Sequence, residues 1–291
     1  MTKSTKIIFF GSGPVAARSL DFLSNHFDIE SVITKSVPAH HKVAAPVETL
    51  ANKLNIPVLF ANTKHELDKI LNNNHFTSEL GILIDYGVIV SDRVIQSFKF
   101  GIINSHFSLL PEWRGADPIT FSILSGQPKT GVSLMLVEPT LDTGKLIASQ
   151  SLIIGEQETT PSLTERLIDL SNQMLAEYIP RYLTGETRPT EQIGADQATY
   201  SRKLTKTDGI IDWEKTAKQI ECEIRAYRGW PNSRTDIGGK NIIVTKAHIS
   251  DTGVSQLDVK CADDKYLSID ELIAPSGKTM DAKSFINGYL G

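Results

Sequence analysis

The chain has 291 residues, with 30 Lys and Arg against 34 Asp and Glu, a formal net charge of −4, and 40% hydrophobic and 22% charged residues. That length holds one large or two ordinary domains, and the composition is that of a globular chain with a sizeable core, which excludes a disordered or fibrous protein. The negative balance excludes a broadly basic nucleic-acid-binding surface but leaves room for a local basic patch, because phosphate contacts are local.

In chain order, Lys6 to Phe10 reads as a first strand and Val15 to Leu23 as the helix behind it. Ile29 to Thr34 is a second strand, Ala45 to Leu54 a helix, Pro57 to Phe60 a third strand and Leu80 to Ile84 a fourth. Gly101 to Asn104 is a fifth strand, and Pro118 to Ser125 the helix that follows. Such alternation implies an α/β domain with a mostly parallel sheet and helices on both faces. Gly131 to Val137 and Leu146 to Ile154 read as a closing hairpin. A long amphipathic helix begins at Thr160, capped by Thr160 or Ser162, with Pro180 and Gly185 marking its end. The polar run Glu186 to Thr199 is a linker. After Trp213 a helix reaches about Tyr227, with Ala217, Ile220, Ile224 and Tyr227 at helical spacing. Short strands then follow, separated by turns at Gly238-Gly239, Asp251-Thr252-Gly253 and Ala262-Asp263-Asp264, which gives a small β-rich second domain. The division expected is 1–186, a linker over 187–207, and 208–291.

Several local signals have bland readings. Gly11-Ser12-Gly13-Pro14-Val15-Ala16 fits the dinucleotide pattern G-x-G-x-x-A, but the second strand ends Ile33-Thr34-Lys35 without the acid that would bind a ribose. A tight turn packing a helix on the sheet is the preferred reading. His40-His41-Lys42 lacks an acid or cysteine at ligand spacing, so no metal is expected there or elsewhere. Cys222 and Cys261 are too few for a disulfide framework and fit a reducing compartment. The apolar run Ile7 to Phe10 is too short for a secretory signal, and no stretch approaches a membrane span. A cytoplasmic monomer without membrane contact is expected.

The densest chemistry lies in Gly101 to Asp117, GIINSHFSLLPEWRGAD. A buried strand releases Asn104, Ser105, His106 and Ser108 at its carboxyl end, where open α/β sheets build ligand sites. Leu141-Asp142-Thr143-Gly144 supplies a carboxylate from another loop. An amide, an imidazole and a carboxylate suffice for acyl-type transfer. Each has a structural alternative: Asn104 could satisfy strand-end groups, His106 could be a satisfied histidine beside the core, and Asp142 could shape its own turn. Ser108 lacks the G-x-S-x-G elbow of a serine nucleophile and reads as a loop-holding residue. Arg114 either fixes the loop or faces an anionic substrate.

Asn104-x-His106-x-Ser108-Leu109-Leu110-Pro111, then Arg114-Gly115-Ala116-x-Pro118, Thr130-Gly131-Val132 and Leu141-Asp142-x-Gly144, resembles the signature of the folate-dependent formyltransferases. In the C-terminal third, Tyr200-Ser201-x-Lys203-Leu204-Thr205-Lys206-x-Asp208-Gly209-x-Ile211-Asp212-Trp213, Ile224-Arg225-Ala226-Tyr227 and Trp230-Pro231 are similar to the branch whose acceptor is initiator methionyl-tRNA. The resemblance spans nearly the whole chain. It implies a Rossmann-like formyltransferase domain followed by a small OB-like barrel that binds tRNA. It also implies transfer of a formyl group from 10-formyltetrahydrofolate, the co-substrate, to the methionine amino group. Asn104, His106 and Asp142 take the catalytic positions, Asn104 and His106 donating to the formyl oxygen and Asp142 orienting His106 and helping to deprotonate the amine. The folate would contact Tyr86, Gly87, Val88, Ile89 and Val90, largely through backbone, together with Ser108, Leu109, Leu110, Pro111, Leu141 and Thr143. Candidate tRNA contacts are His40, His41, Lys42, Arg114, Lys203 and Lys206. The other readings are a formyltransferase acting on an amino sugar nucleotide, a 10-formyltetrahydrofolate hydrolase, and a binding module without catalysis. Two departures stand out: the segment Lys35 to Val43 is shorter and less basic than the family's tRNA-inserting loop, and Ser105 replaces an aliphatic residue.

Overall fold

Strand β1 (Lys6–Gly11) is apolar on both faces, and Ile7, Ile8, Phe9 and Phe10 are fully buried. A strand of this kind needs cover on both sides, which a parallel sheet between helices provides. β2 (Asp28–Thr34), β3 (Val58–Phe60), β4 (Leu80–Ile84) and β5 (Ile102–His106) form the rest of the parallel array, with helices α1 (Pro14–Ser24), α2 (Pro46–Lys53), α3 (Lys64–Asn73) and α4 (Asp92–Gln96) as the successive connections. After the two-residue β6 (Arg114–Gly115) and α5 (Pro118–Leu124) come β7 (Lys129–Leu136), antiparallel to β5, and β8 (Leu146–Ile153). The sheet order is β3-β2-β1-β4-β5-β7-β8. Its order reverses between β1 and β4, which leaves a crevice at the carboxyl ends of the parallel strands.

This computed structural model describes residues 5–37 and 45–291. Two compact units emerge: Met1–Ala116, Thr130–Leu152 and Glu165–Tyr200 make one, and Asp117–Lys129, Ile153–Thr164 and Ser201–Gly291 the other. The glycine turn after β1 is a packing device. A Cβ on Gly11 would lie 2.6 Å from the Ala16 Cβ and 2.8 Å from the Ile84 carbonyl oxygen, and one on Gly13 would lie 2.5 Å from an Asp85 carboxylate oxygen. A carboxylate beside that turn disfavours a phosphate there.

α3 and α4, absent from the sequence reading, both start with a side-chain cap: Thr63 Oγ1 accepts from Glu66 N–H and Ser91 Oγ from Val94 N–H, each at 3.2 Å. The long helix α6 (Thr160–Leu183) passes through Pro180. A proline so near the end removes only one ladder bond, and its own carbonyl still accepts from Thr184 N–H at 3.1 Å. Gly185, at φ +77°, then ends the helix.

In the second unit, after the two-residue β9 (Tyr200–Ser201), helix α7 (Ala217–Ala226) opens with a reciprocal cap between Thr216 and Gln219. β10 (Ser233–Ile237), β11 (Lys240–Ser250), β12 (Asp258–Lys260), β13 (Tyr266–Ile273) and β14 (Thr279–Asp281) form a five-stranded antiparallel sheet of OB-like type, ordered β10-β11-β13-β12 with β14 on β13. Bulges in β11 between Val244 and Ala247 let that long strand curl. Ile220 and Ile224 of α7 pack with Ile242, Val244, Leu267 and Leu272. A short helix, α8 (Ala282–Phe285), brings Phe285 into the same core. No helix among the described residues is long and apolar enough to cross a membrane.

Candidate active site

Strand alternation sorts β5 into two faces. Ser105 turns one way and its Oγ meets Ser171 Oγ of α6 at 2.7 Å. Asn104 and His106 share the other face, one pleat apart, at the carboxyl end of the strand. Asn104 is half-buried, and its amide has no partner among the described residues. His106 is 6% exposed. Its Nε2–H donates to the Trp113 carbonyl at 3.0 Å, and its Nδ1 faces Asp142 Oδ2 at 3.8 Å. Burial pushes the imidazole pKa down from its usual value; the Asp142 charge and the Trp113 carbonyl oppose that without cancelling it.

Asp142 reaches His106 from the loop between β7 and β8. That loop starts beside the amino end of β5, where Val137 N–H donates to Ile102 O at 2.8 Å, and folds back along the sheet. Its close return needs Gly144, because a Cβ there would sit 1.7 Å from the Leu136 carbonyl oxygen. Asp142 itself has a left-handed backbone, φ +52°, and its Oδ2 accepts from Gly115 N–H at 2.7 Å. The carboxylate is therefore tied to the 107–116 loop as well as facing the imidazole.

The 107–116 loop is held from inside. Ser133 Oγ, fully buried on β7, donates to Ser108 O at 2.8 Å and accepts from Leu110 N–H at 3.0 Å. Ser108 Oγ donates to Glu112 O at 2.5 Å, so its hydroxyl is engaged within the loop. Leu110 is buried, while Leu109 and Pro111 are half-buried. Arg114 is buried, and its Nη2 donates to Gln192 Oε1 at 2.6 Å. Neither Ser133 nor Gln192 is singled out by the sequence: Ser133 directly follows Thr130-Gly131-Val132 and Gln192 is one polar residue among many in the run Glu186 to Thr199, and only the folded structure shows what each one holds.

On the other side of Asn104, the segment after β4 carries the expected folate contacts. Leu83 is in register with Asn104, so residues 85–90 leave the sheet at the same edge. Tyr86 turns its ring into the core, edge-on to Phe10, with its hydroxyl 3.3 Å from Ala61 O; burial pushes its pKa well up. Only its backbone is available to a ligand. Val88 and Val90 pack toward the core, whereas Gly87 is exposed at φ +68° and Ile89 is 73% exposed. Leu141, on the Asp142 loop, is 65% exposed and Thr143 is half-buried. An open backbone and exposed apolar side chains bordering a buried polar set fit a flat, amphipathic ring such as a pterin.

Lys203 and Lys206 are exposed in the second unit, where Arg202 grips Asp208 through both carboxylate oxygens at 2.6 and 2.9 Å and holds that carboxyl far below its usual pKa. His40, His41 and Lys42 lie outside the described residues. Among the described residues no group of three His, Cys, Asp or Glu is placed to hold a metal.

A model of the formyl transferase family matches residues 5–179, and one of the formyl transferase C-terminal domain matches residues 203–290. Methionyl-tRNA formyltransferase of Methylococcus capsulatus is 32% identical over 98% of this chain and 97% of its own length. The enzyme of the same name from Pseudoalteromonas translucida is also 32% identical, over 99% of this chain and 95% of its own. Among solved structures, the N-formyltransferase of Helicobacter canadensis, in complex with folinic acid and dTDP-3-aminofucose, superposes with a TM-score of 0.70 at 19% identity, covering 91% of this chain and 98% of that one. The sugar 3N-formyl transferase WlaRD gives 0.69 at 20% identity, over 90% and 96%. Likeness at that identity speaks for the fold alone.

Proposed function

The chain belongs to the formyl transferase family, and we propose that it transfers the formyl group of 10-formyltetrahydrofolate to the amino group of methionine on initiator tRNA. One observation carries this: Asn104, His106 and Asp142 converge at the carboxyl end of β5 in a chain whose curated relatives bear that activity in their names along nearly its full length.

The bound folate supplies a carbonyl carbon open to attack by an amine. The methionine nitrogen forms a bond to that carbon, the bond to the folate nitrogen breaks, and one proton leaves the acceptor nitrogen while one reaches the folate nitrogen. The residues divide these tasks. The Asn104 amide, which has no partner among the described residues, donates to the formyl oxygen as negative charge gathers there. With His106 Nε2–H committed to the Trp113 carbonyl, the oxygen-binding task rests on Asn104. The burial-lowered pKa keeps His106 neutral near pH 7, able to take a proton at Nδ1. Asp142, facing Nδ1, stabilises the imidazolium formed and directs the proton onward. Exposed Lys203 and Lys206 are candidate phosphate contacts of the second unit.

The test offers the purified chain 10-formyltetrahydrofolate with methionyl-tRNA or with a dTDP-linked amino sugar. Formylmethionine released from the tRNA, without formylated sugar, supports the proposal. Transfer to the sugar, or formate release that needs no acceptor, overturns it.

A further inference from the structure

Residues 187–200 cross back over both loops that carry the candidate catalytic groups. Thr190 exchanges backbone hydrogen bonds with Leu146, at 2.7 and 2.9 Å, where β8 leaves the Asp142 loop. Thr199 serves the other loop: its carbonyl accepts from Arg114 N–H at 2.9 Å and its Oγ1 from Trp113 N–H at 2.8 Å. Between these anchors, Gln192 is only 8% exposed, although Ile193 beside it is 92% exposed. A chain that leaves an isoleucine in water and buries a glutamine is not packing by hydrophobicity.

The Gln192 amide is engaged at both ends. Nε2 donates to Asp142 O and to Gly144 O, each at 2.9 Å, and Oε1 accepts from Arg114 Nη2 at 2.6 Å. Two donors and an acceptor on one planar group is what a primary amide offers, and a carboxylate or hydroxyl of that reach does not. Asp142, which it grips, has a left-handed backbone, as does Trp113 on the facing loop. A left-handed backbone at a non-glycine residue is held only where its surroundings over-determine it, and Asp142 is gripped at its carbonyl by Gln192 and at its carboxylate by Gly115.

We propose that Gln192 is a positioning residue of the active site: by holding the Asp142 and Gly144 carbonyls and bracing Arg114, it fixes the Asp142 carboxylate against His106. The segment 187–200 is thereby part of the catalytic centre. This rests on the formyl-transfer reading, in which Asp142 acts through His106.

The experiment uses the full chain with Gln192→Met, which removes all three hydrogen bonds at similar volume, and Gln192→Glu, which keeps the acceptor for Arg114 but turns a carboxylate oxygen onto two carbonyls. Each is also combined with Asp142→Asn, and rates are scaled to the folded fraction. Both single variants should lower kcat by about tenfold to a hundredfold, since a displacement near 1 Å can cost that much, with KM for folate and tRNA within about twofold. On the Asp142→Asn background the further loss should be under about twofold, because coupled residues do not add. In a 15N titration of the His106 ring, which needs no acceptor, Gln192→Met should shift the midpoint toward lower pH, as Asp142→Asn does. Unchanged kcat, a loss confined to KM, full additivity with Asp142→Asn, or a His106 titration like the parent's would each overturn the assignment. If the parent itself fails to formylate methionyl-tRNA, the functional reading falls, and the ring titration still decides the role of Gln192.

Discussion

Asp142→Asn isolates the charge that faces His106. An asparagine oxygen can still accept from Gly115 N–H, so the loop keeps its tie at 2.7 Å while the carboxylate charge is lost. Oppositely charged groups 3.8 Å apart, as Asp142 and a protonated His106 would be, attract by about 4 kcal/mol at an effective dielectric near 20. Both side chains are almost fully buried, so solvent screening takes little of this. Removing the attraction lowers the affinity of His106 for a proton by up to roughly three pKa units. The direction is fixed: burial already holds that pKa down, and Asp142 is the group that lifts it. In the variant the acid limb of the single-turnover rate therefore moves to lower pH. The plateau rate falls by roughly 100- to 1000-fold, the scale for losing stabilisation of a charged catalytic group. Rapid-quench transfer rates across pH 4.5 to 8, beside a 15N titration of the ring, check both halves. A limb that stays in place or moves to higher pH, or a plateau within about threefold of the parent, refutes the coupling of Asp142 to His106.

Three further outcomes follow from the same geometry. His106→Gln should flatten the pH dependence of stability: a histidine neutral in the fold but protonated near pH 6.5 when unfolded contributes stability above that pH and loses it as pH falls toward the lower folded pKa, by at most about 1.4 kcal/mol per pH unit, so urea midpoints at pH 7.5, 6.5 and 5.5 should drop less in the variant than in the parent. Gly144→Ala drives a Cβ toward the Leu136 carbonyl; it should cost about 1–3 kcal/mol or more by urea denaturation and depress kcat with it, and a parent-like midpoint and rate would show that the loop yields freely. Ser133→Ala strands the Leu110 N–H and the Ser108 carbonyl in the core, and should destabilise by about 2 kcal/mol; a midpoint equal to the parent's would mean that other groups take over those bonds.

The fold was legible because its signals are local. Short apolar runs with helical stretches between them, the first of them Ile7 to Phe10 ended by Gly11, have few outcomes besides a parallel sheet. The second domain was legible as turns at regular spacing, and its OB-like class through the resemblance. What escaped is where a local signal was overruled or never existed. Pro180 reads as a helix stop, but in a last turn it forfeits a single bond and α6 runs on to Leu183. β5 extends past Asn104 to His106 because Ser105 and His106 pair with Leu134 and Ser133 of β7, a contact between segments about thirty residues apart that no window along the chain contains.

The same distinction separates the residues of the site. Asn104, His106 and Asp142 can be picked out by type, because amides, imidazoles and carboxylates carry chemistry wherever they stand. The relations that set their behaviour cannot. The Trp113 carbonyl decides which His106 nitrogen bears the proton, and burial decides that the ring is neutral, yet neither is a property of any residue type. Those relations narrow the roles. An imidazole with Nε2–H already given to a carbonyl and its other nitrogen turned to a carboxylate is poorly disposed to bind an oxyanion and well disposed to accept a proton. The Asn104 amide beside it has the opposite character, a donor without a partner among the described residues. The sheet thus sets a donor and a proton acceptor one pleat apart on the same face of β5, and an attacked carbonyl and its attacking amine need those two groups side by side.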